Sequence, residues 1–467
     1  MKKITPFATI IIAISLFLSG CRRQIQQPPT VATPTPPSAT AANEAVPITL
    51  PVLDALFASE SFKADLKSKL QLTDDQINVL RKISRAAVTK LHKSNAENQP
   101  GSAEAARESA IEAIRGVIGR DKADQLMAVA REHWNKGSEE LESAAAKDIE
   151  PTMLPGPNAV PTDTRIVVNI PAFRMDVFAN GSLIKSYKVG IGYPQFPLPQ
   201  GLRKAQTIIF NPTWTPPDSP WVDSMNVTPG EVIAAGSKQN PLGPIKIPIG
   251  APSLIHGGKP LAKIGTFASH GCVGMTNAQV KDFAKVLAQA SHTDLTEETM
   301  SAYLKKRTRT QVVKLSQLVP VELRYETIVV EDGKLHIYRD VYDQNTNTEE
   351  NLRLVFAALG ASFDNLGEAE KAQVREALNA MSRHPKKRAT PTPTPRPAND
   401  APQNSANTTV NASDRQAEAE RQRKLRNQKE IIVEIVELAG KGYPAPVNLD
   451  SGAGTQVSAV TPEASKP

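Results

Sequence analysis

The stretch Ser269-His270-Gly271-Cys272-Val273-Gly274-Met275, preceded by Ile255-His256-Gly257, sets one thiol among glycines and close in sequence to two imidazoles. Gly271 and Gly274 suit a tight, accessible loop better than a packed core. A buried cysteine acting as a small hydrophobe is a common fate for that residue, and the flanking glycines argue against it here. A lone cysteine with histidine partners is a candidate nucleophile.

A thiol with an ordinary pKa of about 8.5 is only slightly ionised at neutral pH, so attack on an amide carbonyl needs a neighbouring base or cation. Imidazole has the intrinsic pKa for that task. The chain has seven histidines, His92, His133, His256, His270, His292, His336 and His384, and only His256 and His270 stand close to Cys272. His270, two residues before the thiol, reaches it only across a sharp backbone turn. His256 lies sixteen residues upstream, enough for a strand to leave, turn and return alongside. It is the preferred base, with a hydrogen-bonded structural imidazole as the competing reading. The amides of Gly271 and Cys272 are candidate donors to an oxyanion, and Ser269 could cap the turn or meet a substrate.

The other cysteine of the two, Cys21, ends a segment that starts Met1-Lys2-Lys3 and continues through the apolar run Ile10 to Leu18. That pattern reads as a signal peptide, and its apolar run is well short of the roughly 20 residues that cross a bilayer. Leu18-Ser19-Gly20-Cys21 resembles the lipobox of bacterial lipoproteins, which makes Cys21 the expected lipidated N-terminus; ordinary signal peptidase cleavage is the alternative. Export leaves Cys272 as the one thiol in an oxidising compartment, where an intramolecular disulfide is impossible.

Further segments extend the pattern around Cys272. Asn240-Pro241-Leu242-Gly243 stands upstream of His256, Pro199-Gln200-Gly201 forms a turn motif, and Asn211-Pro212-Thr213-Trp214-Thr215-Pro216-Pro217 is a Trp/Pro-rich stretch. Together they resemble the L,D-transpeptidase (YkuD-type) family, in which a histidine is followed at a similar distance by Ser/Thr-x-Gly-Cys. The resemblance implies a β-rich catalytic domain acting on peptidoglycan stem peptides without cofactor or metal. It implies Cys272 as nucleophile, His256 as general acid/base, and the Gly257 carbonyl as the group that orients the imidazole. The Gly271 backbone then serves the oxyanion, and Ser269, His270 and Asn240 are expected at the substrate. One position departs from the family: an arginine usually stands two residues after the cysteine, where this chain has Gly274. Lys259, Lys263 and Arg203 are the nearby cations that could stand in.

Composition divides the chain of 467 residues into pieces. The expected organisation is multidomain α+β, a β-rich catalytic domain flanked by helical segments and disordered linkers. A signal peptide (1–20) precedes a Pro-rich tether (21–48) and a helical domain (49–150), where Ile77, Leu80, Ile83, Ala87, Val88 and Leu91 share a helix face. Thr73-Asp74-Asp75-Gln76 reads as a capping box. The catalytic domain (163–327) holds alternating strands and the hairpin signal Asn180-Gly181. A β-hairpin and helical extension (328–383), a disordered linker (384–414), an amphipathic helix (415–440) and a disordered tail (441–467) follow.

The charge excess is +7, which suits an anionic envelope surface as well as a solvated helix face. No nucleic-acid motif is present, and export argues against that partner. The expected protein is an envelope lipoprotein on the periplasmic side, anchored to a membrane by its N-terminus, that cross-links or modifies the wall. An L,D-carboxypeptidase or hydrolase of the same fold, or a catalytically inactive wall-binding lipoprotein, are the alternatives.

Overall fold

The computed structural model describes residues 47–94, 102–136, 152–382 and 428–452. Cys21, the tether before residue 47, and the linker 384–414 lie outside the described residues. Among the described residues no helix is long and apolar enough to cross a membrane.

Residues 165–324 are built on an eight-stranded mixed sheet. Its strands are β1 (Arg165–Asn169), β2 (Arg174–Ala179), β3 (Ser182–Lys188), β5 (Gly201–Phe210), β6 (Ile245–Pro248), β7 (Leu254–His256), β9 (Val273–Gly274) and β10 (Gln311–Arg324). They lie in the order β3-β2-β1-β10-β5-β6-β7-β9. Two short strands, β4 (Ile191–Gly192) and β8 (Phe267–Ser269), pair separately. Asn180 and Gly181 both adopt positive φ, 48° and 79°, the geometry of the tight turn that joins β2 to β3.

β1 is buried along its whole length, because both of its faces are covered. Ile166 and Val168 point into the main core with Phe283 and Leu287, whereas Val167 packs on the other side with Val329, Tyr338 and Tyr443. The first core is closed by the helix Asn277–Ala290, whose N-terminus carries a reciprocal capping box between Thr276 and Gln279. Its apolar stripe of Val280, Phe283, Ala284 and Leu287 is buried against the sheet.

The second face is covered by the extension. Strands β11 (Ile328–Glu331) and β12 (Lys334–Tyr338) form a hairpin backed by helices Glu349–Ala358 and Glu368–Met381. A third strand, β13 (Glu430–Glu434), pairs antiparallel to β12. This corrects the amphipathic helix expected over 415–440: residues 430–434 are a strand and 436–438 a short 3-10 turn, while 415–427 lie outside the described residues. The physical reason is the run Ile431-Ile432-Val433, whose β-branched side chains favour a pleated surface over a helix. The tail expected to be disordered over 441–467 is ordered through residue 452. Val447 and Asp450 accept hydrogen bonds from the Ser186 and Lys188 amides at 2.9 and 2.8 Å, so this segment covers the edge strand β3; residues 453–467 lie outside the described residues.

The N-terminal region is all helical, with helices Leu50–Leu56, Glu60–Ser68, Asp74–Ser94, Ser102–Ile118 and Arg120–Lys136 around Leu53, Phe62, Leu80, Ile114 and Leu126. Thr73 and Gln76 exchange side chain to backbone bonds at 3.1 and 3.2 Å, which satisfies two amides at the start of the long third helix.

A buried ionic group pins the centre of the sheet. Glu322 on β10 accepts from Arg165 of β1 at 2.6 Å and from Arg324 at 3.0 Å, and all three are buried. Removing the shared carboxylate takes one buried counter-charge from each guanidinium and leaves Arg165 with Asp163 and Arg324 with the Ala159 carbonyl and Glu326. Replacing Glu322 by Ala is therefore expected to destabilise the fold by about 3–5 kcal/mol, read as a lower unfolding free energy in a urea titration.

Candidate active site

β7 and β9 are parallel neighbours, with Ile255 opposite Val273 and His256 opposite Gly274. Strand side chains alternate between faces. Ile255 and Val273 are both fully buried in the main core, which turns His256 to the other face of β7. Cys272 stands in the bend immediately before β9, so the pairing sets the thiol-bearing bend beside the strand that ends at His256.

His256 is almost fully buried, and its Nδ1 donates to the Gly257 carbonyl at 2.7 Å. A carbonyl only accepts, so this contact sets the tautomer and leaves Nε2 with its lone pair. Burial, and then the charge of Lys259, push the imidazole down to a pKa of about 3, against the pull of the Gly257 and Leu242 carbonyls. The ring is therefore neutral. Cys272 is partly buried, and its Sγ lies 3.9 Å from the Pro252 carbonyl. Burial raises the thiol above its ordinary value, while the Leu254 amide and the Lys259 charge lower it.

The loop between β8 and β9 is held tightly. Ser269 Oγ accepts from the Cys272 amide at 3.0 Å and donates to the Cys272 carbonyl at 2.5 Å. This corrects one expectation, since the Cys272 amide is engaged within the turn rather than open to an oxyanion, and it gives the Ser269 hydroxyl the turn-capping use of the two expected for it. Gly271 adopts a φ of 98°, its carbonyl accepts from Ser253 Oγ at 2.8 Å, and its amide has no partner among the described residues. His270 turns away into an aromatic nest. It stacks on Trp221 at 4.2 Å and meets Phe196 and Tyr193 edge-on at 4.6 and 5.1 Å.

Asn240 shapes the turn before β6: its Nδ2 donates to the Pro212 carbonyl and its Oδ1 accepts from the Leu242 amide, at 2.8 and 3.1 Å. That turn lies against the histidine segment. A Cβ on Gly243 would meet the Gly258 nitrogen at 2.4 Å, and one on Gly258 would meet the Pro241 carbonyl oxygen at 2.2 Å. Both contacts are too close for any side chain. Asn277 completes the support by accepting from the Gly258 amide at 2.8 Å.

Trp134, which no local pattern singled out, comes from the last helix of the N-terminal region. It is fully buried, its Nε1 donates to the Pro197 carbonyl at 3.1 Å, and its ring lies 3.3 Å from where a Cβ on Gly271 would stand. Arg203 donates to the Trp134 carbonyl and to the Gly250 carbonyl. Thr49 and Asp54 add hydrogen bonds to Gln195 and Ser219, at 2.6 and 2.5 Å. The helical region is thus a wall of the site. Among the described residues no group of three or more His, Cys, Asp or Glu could hold a metal ion.

Residues 163–313 match the YkuD family model, the L,D-transpeptidase catalytic domain. This segment, about a third of the chain, is a YkuD-type domain within a larger α+β protein. No curated protein matches the chain. Solved structures similar to it include the Ldtfm-avibactam carbamoyl enzyme, at 15% identity over 35% of this chain and 49% of that one, with a TM-score of 0.21. A catalytic domain from the E. faecium L,D-transpeptidase is similar at 15% identity over 36% and 100%, with a TM-score of 0.23. An L,D-transpeptidase from Mycobacterium smegmatis follows at 14% over 35% and 58%, with a TM-score of 0.20. The match spans about half the length of the first of these, and likeness at such TM-scores carries no argument.

Two outcomes test this geometry. His256 binds a proton less readily folded than unfolded, so unfolding takes up a proton between the ordinary value of 6.5 and about 3. Stability is then expected to fall as pH drops through that window, and His256→Gln should flatten the fall in urea unfolding measured at about pH 7 and about pH 4.5. Trp134→Ala removes a filled indole site and is expected to destabilise the protein by about 3–5 kcal/mol, measured by the same titration.

Proposed function

We propose that this chain is a lipid-anchored L,D-transpeptidase of the bacterial envelope, held on the periplasmic side through Cys21 and acting on peptidoglycan stem tetrapeptides. The observation that carries the reading is the parallel pairing of β7 with β9, which sets the bend bearing Cys272 next to the strand that ends at His256, whose tautomer is set by the Gly257 carbonyl. The family of the matched segment supports the substrate class.

Cys272 Sγ attacks the carbonyl of the L-to-D peptide bond while His256 Nε2 takes the thiol proton. The oxyanion forms against the Gly271 amide. Collapse of the adduct breaks the C–N bond, and the leaving amine of D-alanine takes the proton from His256, so that a thioester on Cys272 and a free amino acid result. An amine acceptor then attacks the thioester and yields its proton through His256. A new amide and the original thiol are formed, and water in place of the amine gives carboxypeptidase activity. The neutral resting imidazole fits this sequence, because it accepts a proton only as the thiol attacks.

Full-length protein incubated with disaccharide-tetrapeptides is expected to release D-alanine and form cross-linked dimers, followed by mass spectrometry. Cys272→Ala should abolish both products and the covalent adduct that a carbapenem leaves on the parent. Tripeptide without dimer would move the reading to an L,D-carboxypeptidase, and the absence of product and adduct alike would leave a wall-binding lipoprotein.

A further inference from the structure

Three cations stand near the thiol in sequence, and the fold gives each a different place. Arg203 is committed to the Trp134 and Gly250 carbonyls. Lys263 lies over the Tyr193 ring, 5.8 Å from its centroid. Lys259 is held against β9: its amide donates to the Met275 carbonyl at 3.0 Å, and its stem lies on Gly274. A Cβ at position 274 would stand 2.8 Å from Lys259 Cγ and 3.0 Å from Cε, so the glycine is what admits the lysine. Cys272 stands two residues before Gly274, in the bend that leads into β9. A lysine stem laid on Gly274 carries its ammonium into the neighbourhood of that bend, close enough for the two groups to act on each other's charge.

We propose that Lys259, rather than a protonated His256, is the counter-ion of the Cys272 thiolate, while His256 stays neutral between proton transfers. The inference rests on the reading of Cys272 as nucleophile. Burial holds the Lys259 ammonium below its ordinary value; the thiol favours the ammonium and Lys263 opposes it. Lys259 in turn lowers the Cys272 thiol and the His256 imidazole alike. Lys246, paired across from His256 on β6, adds to the pressure against an imidazolium. His270 is stacked on Trp221 and faces the aromatic nest. With the imidazole neutral at rest, the Lys259 ammonium is the cation beside sulfur as the thiol proton begins to leave.

The test reads ionisation directly and needs no peptide substrate. The pH dependence of alkylation by iodoacetamide is followed on the Cys272-bearing peptide of the full chain by mass spectrometry. Lys259→Met is expected to raise the midpoint by about one pH unit or more, and Lys259→Arg to keep it near the parent. Gly274→Ala, whose Cβ displaces the lysine stem, should raise it in the same direction. His256→Gln should move it less than Lys259→Met does. A folded Lys259→Met protein with the parent midpoint overturns the proposal, as does a larger rise in His256→Gln. Should Lys259→Met fail to fold, an unchanged midpoint in folded Gly274→Ala overturns it equally. Because alkylation is independent of turnover, failure here leaves the transpeptidase reading standing, and failure of turnover leaves this result intact.

Discussion

The site depends on one register. Parallel pairing sets Ile255 against Val273 and His256 against Gly274, and a slip by one residue would turn every side chain of a strand to the opposite face. Two fully buried apolar residues resist that slip, since moving Ile255 or Val273 outward would expose a core position. The hydrophobic core thus fixes a chemical relationship it does not itself touch. Met275 donates to the His256 carbonyl at 2.9 Å and Gly190 and Gly274 exchange bonds at 2.8 and 2.9 Å, which locks the same alignment from both sides.

Around that register the protein places supports of different origin. The turn shaped by Asn240 presses on Gly258, Ser269 closes the loop before Cys272, and Trp134 of the helical region backs Gly271. The positive φ of Gly271 and the indole behind it act together, because a side chain at 271 would be strained and crowded at once. A helical region joined to the site by a buried tryptophan and an arginine bridge is part of how the site is held, rather than an appendage.

Sequence made some of this visible and hid the rest for reasons that differ by residue. The Asn180-Gly181 turn and the Thr73 to Gln76 box are local devices, complete within four residues, and the fold contains both. The return of the chain beside His256 as β9 followed from the sixteen-residue spacing, and turn capping was one of the two uses that the Ser269 hydroxyl suggested. The engagement of the Cys272 amide in that turn was not legible, because an amide beside a glycine suits turn and oxyanion equally well. Trp134 was out of reach, since its partner is 137 positions away and no period links them. The strand at 430–434 was obscured by the charged run that precedes it, where local amphipathicity outweighed three consecutive β-branched residues.

The segment that ends the described chain borders the start of the catalytic sheet: Val447 donates to Ser186 Oγ at 3.2 Å, a separation of 261 positions. Contacts of such range are slow to form, because the intervening chain must be ordered before the bond contributes. β3 is therefore an open edge, able to pair with another chain, until residues 447–450 dock along it. Docking of this strap is what closes the sheet to a strand from a neighbouring molecule.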